Sequence, residues 1–138
     1  MTQVSTAFLA EPELLAELEK RAKPVAVGHD RVLFHEGDSP AGVFIVKRGA
    51  ARLTSHSAGE AILDFRAGAG SLLGVPAAIG TKAYSLTAEA LEGAELSLVS
   101  CEDFVNLMQT EPNLSFQVLR VLAEEIRFAR ETLADLRD

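Results

Sequence analysis

Short apolar runs separated by turn signals fill the middle of the chain. The turn signals are clusters of glycine, aspartate, serine and proline, such as residues 37–40 and 57–60. The strands predicted between such turns are residues 25–27, 31–34, 43–47, 51–54, 61–65, 84–90 and 94–99. Many short strands at regular spacing are typical of a barrel or jelly roll. Because no helical crossover separates them, a parallel α/β sheet is a poor fit.

Helical patterns flank this region on both sides. Residues 11–21 place three leucines on one face, after a proline that suits a first helical turn. Behind the last predicted strand, Ser100 and Asp103 resemble a capping box, with aspartate where glutamate or glutamine is usual. A short helix follows to about residue 110, and Pro112 begins a longer one. The predicted fold is therefore mainly β with flanking helices.

The long helix carries a narrow apolar seam, with the alternating spacings of three and four that mark a and d positions of a coiled coil. The seam residues are Leu119, Leu122, Ile126, Ala129, Leu133 and Leu136. One interpretation is a buried face that lies on the β core. Charged residues such as Glu124, Glu125 and Arg127 leave only this seam apolar, however, and so narrow a seam suits a partner helix better. The sequence predicts a homodimer through these residues.

Composition fits one globular domain. The chain has 138 residues, of which 48% are hydrophobic and 24% charged, enough for a core without metal or disulfide bonds. We divide it into residues 1–111, the N-terminal helix, jelly roll and short helix, and residues 112–138, a dimerisation helix of the same structural domain.

Charge and targeting signals restrict the partners. The formal net charge is −7, and no basic patch interrupts the acidic balance, so direct contact with nucleic acid is not expected. The start of the chain lacks the pattern of a signal peptide, and no apolar stretch is long enough to span a bilayer. The lone Cys101 fits a reducing compartment. We expect a cytoplasmic protein without membrane contact.

The run VLFHEGDSPAGVFIVKRGAARL, residues 32–53, carries a recognisable motif in Leu33-Phe34, Gly37-Asp38, Phe44-Ile45-Val46 and Gly49. It resembles the first motif of the cyclic-nucleotide-binding domain family, found in bacterial Crp/Fnr-type transcription regulators. The resemblance covers nearly the whole chain and implies a double-stranded β-helix jelly roll of eight strands. It also implies a non-enzymatic, ligand-sensing domain in transcription regulation. Such regulators usually continue into a DNA-binding helix-turn-helix, and we expect no counterpart of it within residues 1–138.

The stretch GAGSLLGVPAAIGTKAYSLTA, which begins at Gly68, falls where this family holds a cyclic phosphate. The resemblance implies a glutamate for the ribose hydroxyl and an arginine for the phosphate. Val75 stands at the glutamate position and Tyr84 at the arginine position, whereas Gly74 and Ser85 match the family pattern. Binding of a cyclic nucleotide is therefore doubtful.

The remaining polar features of this stretch leave three alternatives open. Lys82 and the free N–H groups of a helical turn at residues 76–79 would retain a cyclic nucleotide, although lysine lacks the planar fork of arginine. A different small ligand is the second alternative. The third is a pocket filled by apolar side chains, Leu72, Val75, Ile79 and Leu86, in a domain that serves only for dimerisation. The candidate ligand residues are Gly74, Val75, Pro76, Ala77, Ala78, Lys82, Tyr84, Ser85, Leu86 and, on the long helix near the family's base-contacting positions, Ala129 and Arg130.

The sequence gives little support for a metal-dependent enzyme or an iron–sulfur cluster. A jelly-roll enzyme of the cupin type needs clustered histidines and a glutamate, whereas His29, His35 and His56 are isolated in the sequence. An iron–sulfur cluster needs several cysteines and the chain has one. We predict no metal site, and keep a metal-dependent cupin-like enzyme as a minor alternative.

Overall fold

The computed structural model describes residues 3–27 and 31–137. In chain order the elements are β1 Gln3–Ser5, α1 Pro12–Glu19, β2 Lys23–Pro24, β3 Val32–Phe34, β4 Gly42–Arg48, β5 Ala50–Ser57, β6 Glu60–Gly68, β7 Leu72–Leu73, α2 Val75–Gly80, β8 Thr87–Ala90, β9 Glu95–Ser100, α3 Cys101–Thr110 and α4 Pro112–Arg137. The mainly-β fold with flanking helices and a long C-terminal helix is confirmed.

Two sheets form the β part. One has five strands in the order β1-β6-β5-β8-β3, and the other has four in the order β2-β9-β4-β7. Between neighbouring strands the pairing is antiparallel, except that β1 runs parallel to β6. Side chains from both sheets, among them Phe34, Leu53, Phe65, Phe44 and Leu96, form one core cluster between them.

Strand β4 contributes side chains both to the core between the sheets and to a second core formed with the helices. All of residues 42–46 are buried, because both faces of the strand are covered. Phe44 and Val46 point into the cluster between the sheets, whereas Val43 and Ile45 point to the other face. There they meet the apolar sides of the helices, contributed by Leu14, Leu18, Val75, Ala78, Phe104, Leu107, Leu114 and Val118. The alternation of side chains along a strand thus divides one apolar run between two cores.

The helix termini follow local chemistry. The hydroxyl of Ser100 accepts a hydrogen bond from the backbone N–H of Asp103 at 3.1 Å and caps α3. Pro112 is the first residue of α4, where a missing N–H costs nothing. Helix α1 ends two residues earlier than the sequence pattern predicts.

Some strand boundaries differ from the prediction. Residues 25–27 are not a strand; β2 ends at Pro24, whose partner in β9 is Ser97. The N–H of Val25 adds one more hydrogen bond to β9, to the carbonyl oxygen of Leu96 at 3.0 Å. Strand β8 begins at Thr87 rather than at Tyr84, because the backbone of Tyr84 hydrogen-bonds the turn at residues 37–38 instead of a strand. The strands β1 and β7 were not predicted, since runs of two or three residues give no pattern.

Helix α4 presents a second apolar face, turned away from the barrel. Its exposed large apolar residues are Phe116 at 55%, Leu119 at 58%, Ile126 at 54% and Leu133 at 46%. Two other seam residues, Leu122 and Ala129, are half-buried, and Leu122 packs against the helical core. The side chain of Leu136 lies outside what the structure describes. Within the described residues, no helix is apolar over a length that would cross a membrane.

Candidate ligand pocket

The turn between β7 and α2 forms one wall of a small cavity. Gly74 has a φ of +91°, a left-handed conformation in which glycine is favoured. A Cβ at this position would lie 2.7 Å from Cε1 of Tyr84, so the space beside Gly74 is filled by that ring. Close approach of ring and backbone therefore adds a second reason for glycine.

Tyr84 is buried and is held by contacts with β3 and with the start of β4. Its ring stacks on Phe34 with centroids 3.7 Å apart and an angle of 15°. Its hydroxyl donates to the carbonyl oxygen of Gly42 at 2.8 Å, and accepts from the N–H groups of Ala41 at 2.9 Å and Gly42 at 3.2 Å. Burial raises the pKa of Tyr84, so its phenol is neutral. Only 3% of the residue is exposed.

The cavity lies between the barrel and α4. Its volume is about 30 Å³, which is room for one or two water molecules. The lining residues are Phe8, Phe34, Leu53, Leu73, Gly74, Pro76, Ala77, Tyr84, Ser85, Leu86 and Glu125. Pro76 and Ser85 are exposed and form the side that faces solvent. The remaining side chains of the lining are apolar except for the phenol of Tyr84 and the carboxyl of Glu125.

Glu125 is the one carboxyl group among these lining residues, and the sequence pattern did not single it out. It projects from α4, is half-buried, and its Oε2 atom is buried without a hydrogen-bond partner. Burial raises the pKa of Glu125 to about 8. A signal was present in the sequence: Glu125 continues the spacing of Leu114, Val118, Val121 and Phe128, an otherwise apolar stripe. A polar residue within such a stripe marks a group that must face the barrel.

An aromatic cluster holds α4 beside the cavity. Phe128 lies one turn beyond Glu125 and meets Phe65 edge-on, with centroids 4.7 Å apart. Phe8 stacks on Phe65 at 5.2 Å and contacts Phe128 edge-on at 6.3 Å. Edge-on and offset arrangements of this kind add about 0.5–1.5 kcal/mol per pair beyond burial alone. The cluster therefore fixes the distance between Glu125 and the barrel.

Comparison with known proteins identifies the fold family. Residues 24–111 match the family described as the cyclic nucleotide-binding domain. The chain belongs to this family. Transcriptional activator protein FnrA of Stutzerimonas stutzeri is 31% identical over 121 residues, which are 86% of this chain and 48% of the relative. The chain thus spans about half the length of that curated relative.

Solved structures show the same cyclic nucleotide-binding domain fold. The catabolite activator protein of Thermus thermophilus superposes with a TM-score of 0.76 at 24% identity, over 92% of this chain and 60% of that one. Oxidized CprK in complex with o-chlorophenolacetic acid superposes with a TM-score of 0.72 at 14% identity, over 96% of this chain and 54% of that one. The resemblance inferred from residues 32–53 is confirmed.

The candidate ligand residues of this cyclic nucleotide-binding domain differ in whether they line the cavity. Six of them line the cavity: Gly74, Pro76, Ala77, Tyr84, Ser85 and Leu86. Val75 and Ala78 are fully buried in the helical core instead, on the other side of α2. Lys82 and Arg130 are exposed, Ala129 is half-buried, and these three lie outside the cavity lining.

The histidines and carboxylates that the structure describes form no metal-binding group. His35 and His56 are exposed, and His29 lies outside the described residues. Within residues 3–27 and 31–137, no three side chains of His, Cys, Asp or Glu are grouped so as to hold a metal ion.

Proposed function

We propose that this domain is a non-enzymatic sensory domain of a Crp/Fnr-type transcription regulator, in which recognition of a cyclic nucleotide has been lost. Family membership and the likeness to FnrA, named a transcriptional activator, support the regulatory role. The observation that carries the altered specificity is Tyr84, whose neutral ring stands at the position where the family places an arginine.

The charge of the cavity supports this proposal. A cyclic phosphate is an anion, and burying it without a cation costs several kcal/mol. Among the described residues that line the cavity there is no lysine or arginine, and the carboxyl of Glu125 would add repulsion if ionised. Val75, at the family's glutamate position, is turned into the helical core and offers nothing to a ribose hydroxyl.

The small volume of the cavity also supports the loss of cyclic-nucleotide binding. Room for a nucleotide requires the ring of Tyr84 to leave Phe34 and to give up its hydrogen bonds to Ala41 and Gly42. Each of these hydrogen bonds contributes roughly 0.5–1.5 kcal/mol net, and the ring pair adds a similar amount. The total is on the order of 3 kcal/mol or more, a loss of at least about a hundredfold in affinity.

Thermal unfolding with cyclic AMP or cyclic GMP tests this proposal. A ligand present at 100 times its Kd stabilises the folded state by about 2.7 kcal/mol, which is readily seen. We expect no stabilisation by either nucleotide at millimolar concentration. A saturable increase in Tm with either one would show that the domain has kept the family ligand.

We further propose that two copies pair through α4. The support is the exposed apolar face of this helix, which carries Leu119, Ile126 and Leu133 at intervals of one heptad. With 26 residues, the helix is about 39 Å long and offers several turns for pairing. A ligand between barrel and helix would then bias the geometry of the paired helices.

Sedimentation velocity tests the pairing. Ile126→Lys places a charge in the centre of the exposed apolar face and should convert the dimer to a monomer at micromolar concentration. Glu124→Lys is the matched control, since the same charged side chain is introduced two residues away on the opposite side of α4, where it should leave the dimer intact. A wild-type chain that sediments as a monomer would contradict the proposal.

A dimerisation module with an inactive pocket is the second candidate function. The volume of about 30 Å³ favours it, because a cavity of this size admits a single functional group rather than a whole metabolite. Binding experiments on the pocket itself distinguish the two candidates, and their design follows from the chemistry of Glu125.

A further inference from the structure

Glu125 gives the pocket a recognition group of its own. Its carboxyl extends from α4 into the gap between helix and barrel, and its Oε2 atom is buried without a partner. Phe8, Leu53 and Leu86 also line the cavity, and their side chains have no hydrogen-bonding group. A buried polar atom left unpaired in this way is costly, and a ligand that pairs it recovers that cost.

The protonation state of Glu125 decides which ligand group can pair with it. The only other titratable side chain that lines the cavity, within the part of the chain that the structure describes, is Tyr84. Burial raises the pKa of Glu125 to about 8, and no neighbouring charge contributes to that shift. At neutral pH the carboxyl therefore keeps its proton and is a hydrogen-bond donor as well as an acceptor.

An anionic, a cationic and a neutral ligand would therefore differ in the free energy of binding beside Glu125. An anion would enter a cavity whose described lining holds the carboxyl of Glu125 and no lysine or arginine to neutralise the added charge. A cation would require Glu125 to ionise, and both charges would lose their hydration at once. A neutral acceptor, such as a carbonyl oxygen or a ring nitrogen, needs neither change and takes the hydrogen bond from the protonated carboxyl.

On the basis of the proposed sensory function, we infer that the pocket receives the uncharged acceptor group of a small apolar molecule, and that the Glu125 carboxyl binds this group by donating a hydrogen bond. The apolar part of the ligand lies against the leucine and phenylalanine side chains of the lining. Its remaining atoms extend toward the exposed side at Pro76 and Ser85, because the cavity itself is small.

Three probes with four non-hydrogen atoms each test the ligand class: acetone, isopropylammonium and acetate. They differ in charge and little in size. Ligands so small bind in roughly the millimolar range or more weakly, so the methyl chemical shifts of Leu53, Leu73 and Leu86 are followed during titration of the full chain. We expect saturable shifts with acetone, at concentrations at which isopropylammonium and acetate produce none.

Variants of Glu125 show whether its carboxyl is the donor. Glu125→Leu removes the donor and should weaken acetone binding by roughly fivefold to tenfold. Glu125→Gln keeps an N–H donor of similar shape and should retain binding. In the wild type, acetone binding should weaken as the pH rises past about 8. In the Gln variant it should not. Glu124→Gln, on the exposed side of the same helix, is the control.

Each other outcome has a distinct meaning. Stronger binding of isopropylammonium would overturn the inferred ligand class and leave a sensory pocket in place. Absence of saturation by all three probes would overturn the inference and favour the dimerisation module. Cyclic AMP, titrated in the same way, reports on the proposed function separately, because its binding would contradict that proposal whatever acetone does. Equal binding of acetone to the wild type and to Glu125→Leu would also refute the role of Glu125.

Discussion

Replacing Glu125 by glutamine should change how the stability of the domain depends on pH. The carboxyl has an ordinary pKa of 4.5 in the unfolded chain and a pKa of about 8 in the folded one. Between these values the folded chain holds a proton at Glu125 that the unfolded chain releases. The contribution of Glu125 to stability is therefore greatest below pH 4.5 and falls as the pH rises toward 8. A glutamine at this position has the same shape and does not titrate.

The magnitude follows from the size of this shift. Each pKa unit corresponds to about 1.4 kcal/mol, so the full span amounts to at most about 5 kcal/mol. The half-buried side chain keeps some contact with water, which lowers this figure. Between pH 6 and pH 8 the stability of Glu125→Gln relative to the wild type should rise by about 1–3 kcal/mol. This is a large fraction of the stability of a typical domain.

Urea unfolding at a series of pH values measures the effect. The series stays above pH 6, because the acidic chain approaches neutrality below that and proteins then associate. All samples have one protein concentration, since dimerisation would add its own contribution to the free energy of unfolding. Glu124→Gln removes one carboxylate from the exposed side of α4 and is the control for net charge. A difference between wild type and Glu125→Gln that stays constant with pH would refute the reasoning, because Glu125 would then titrate alike in both states.

Three further substitutions test the packing around the pocket. Gly74→Ala should destabilise the domain by about 2 kcal/mol or more in urea unfolding, because the new Cβ meets the ring of Tyr84 at a positive φ; a loss below about 0.5 kcal/mol would contradict this. Tyr84→Phe should cost about 1–3 kcal/mol in the same assay, since it leaves the carbonyl and N–H of Gly42 without their partner, and an unchanged midpoint would show that water replaces the hydroxyl. Ser100→Ala should lower the free energy of unfolding by about 1 kcal/mol through loss of the cap on Asp103, whereas Ser100→Asn should restore it.

Much of the fold could be predicted because its signals are local. The strands β4, β5 and β6 and the helix α3 appear in the sequence as runs bounded by turn residues or a cap. The shortest strands gave no such signal, because two or three residues pair only when the rest of a sheet is already present. The buried face of β4 on the helical side was also hidden, since a continuous apolar run does not say what covers each face.

The pocket was harder to predict, because its properties depend on contacts across the chain. Tyr84 departs from the family pattern in the sequence, yet only the structure shows that its ring fills the space beside Gly74. The sequence places Val75 and Ala78 among the candidate pocket residues, whereas the rotation of α2 turns them into the helical core. Rotation of a six-residue helix is set by its neighbours and leaves no periodic signal of its own.

The sequence pattern of α4 predicts one apolar seam with a charged remainder, whereas the helix has two apolar stripes. The stripe toward the barrel contains Glu125, and the stripe away from it contains Ile126. Successive residues on a helix lie about 100° apart and rise by about 1.5 Å, so the pocket wall and the proposed dimer seam share one turn of a rigid element. Any displacement of Glu125 by a ligand must therefore move Ile126 as well. In the proposed dimer this arrangement would couple the pocket to the helix pair without an intermediate segment. It predicts that ligands of the pocket change the geometry of that pair rather than its existence.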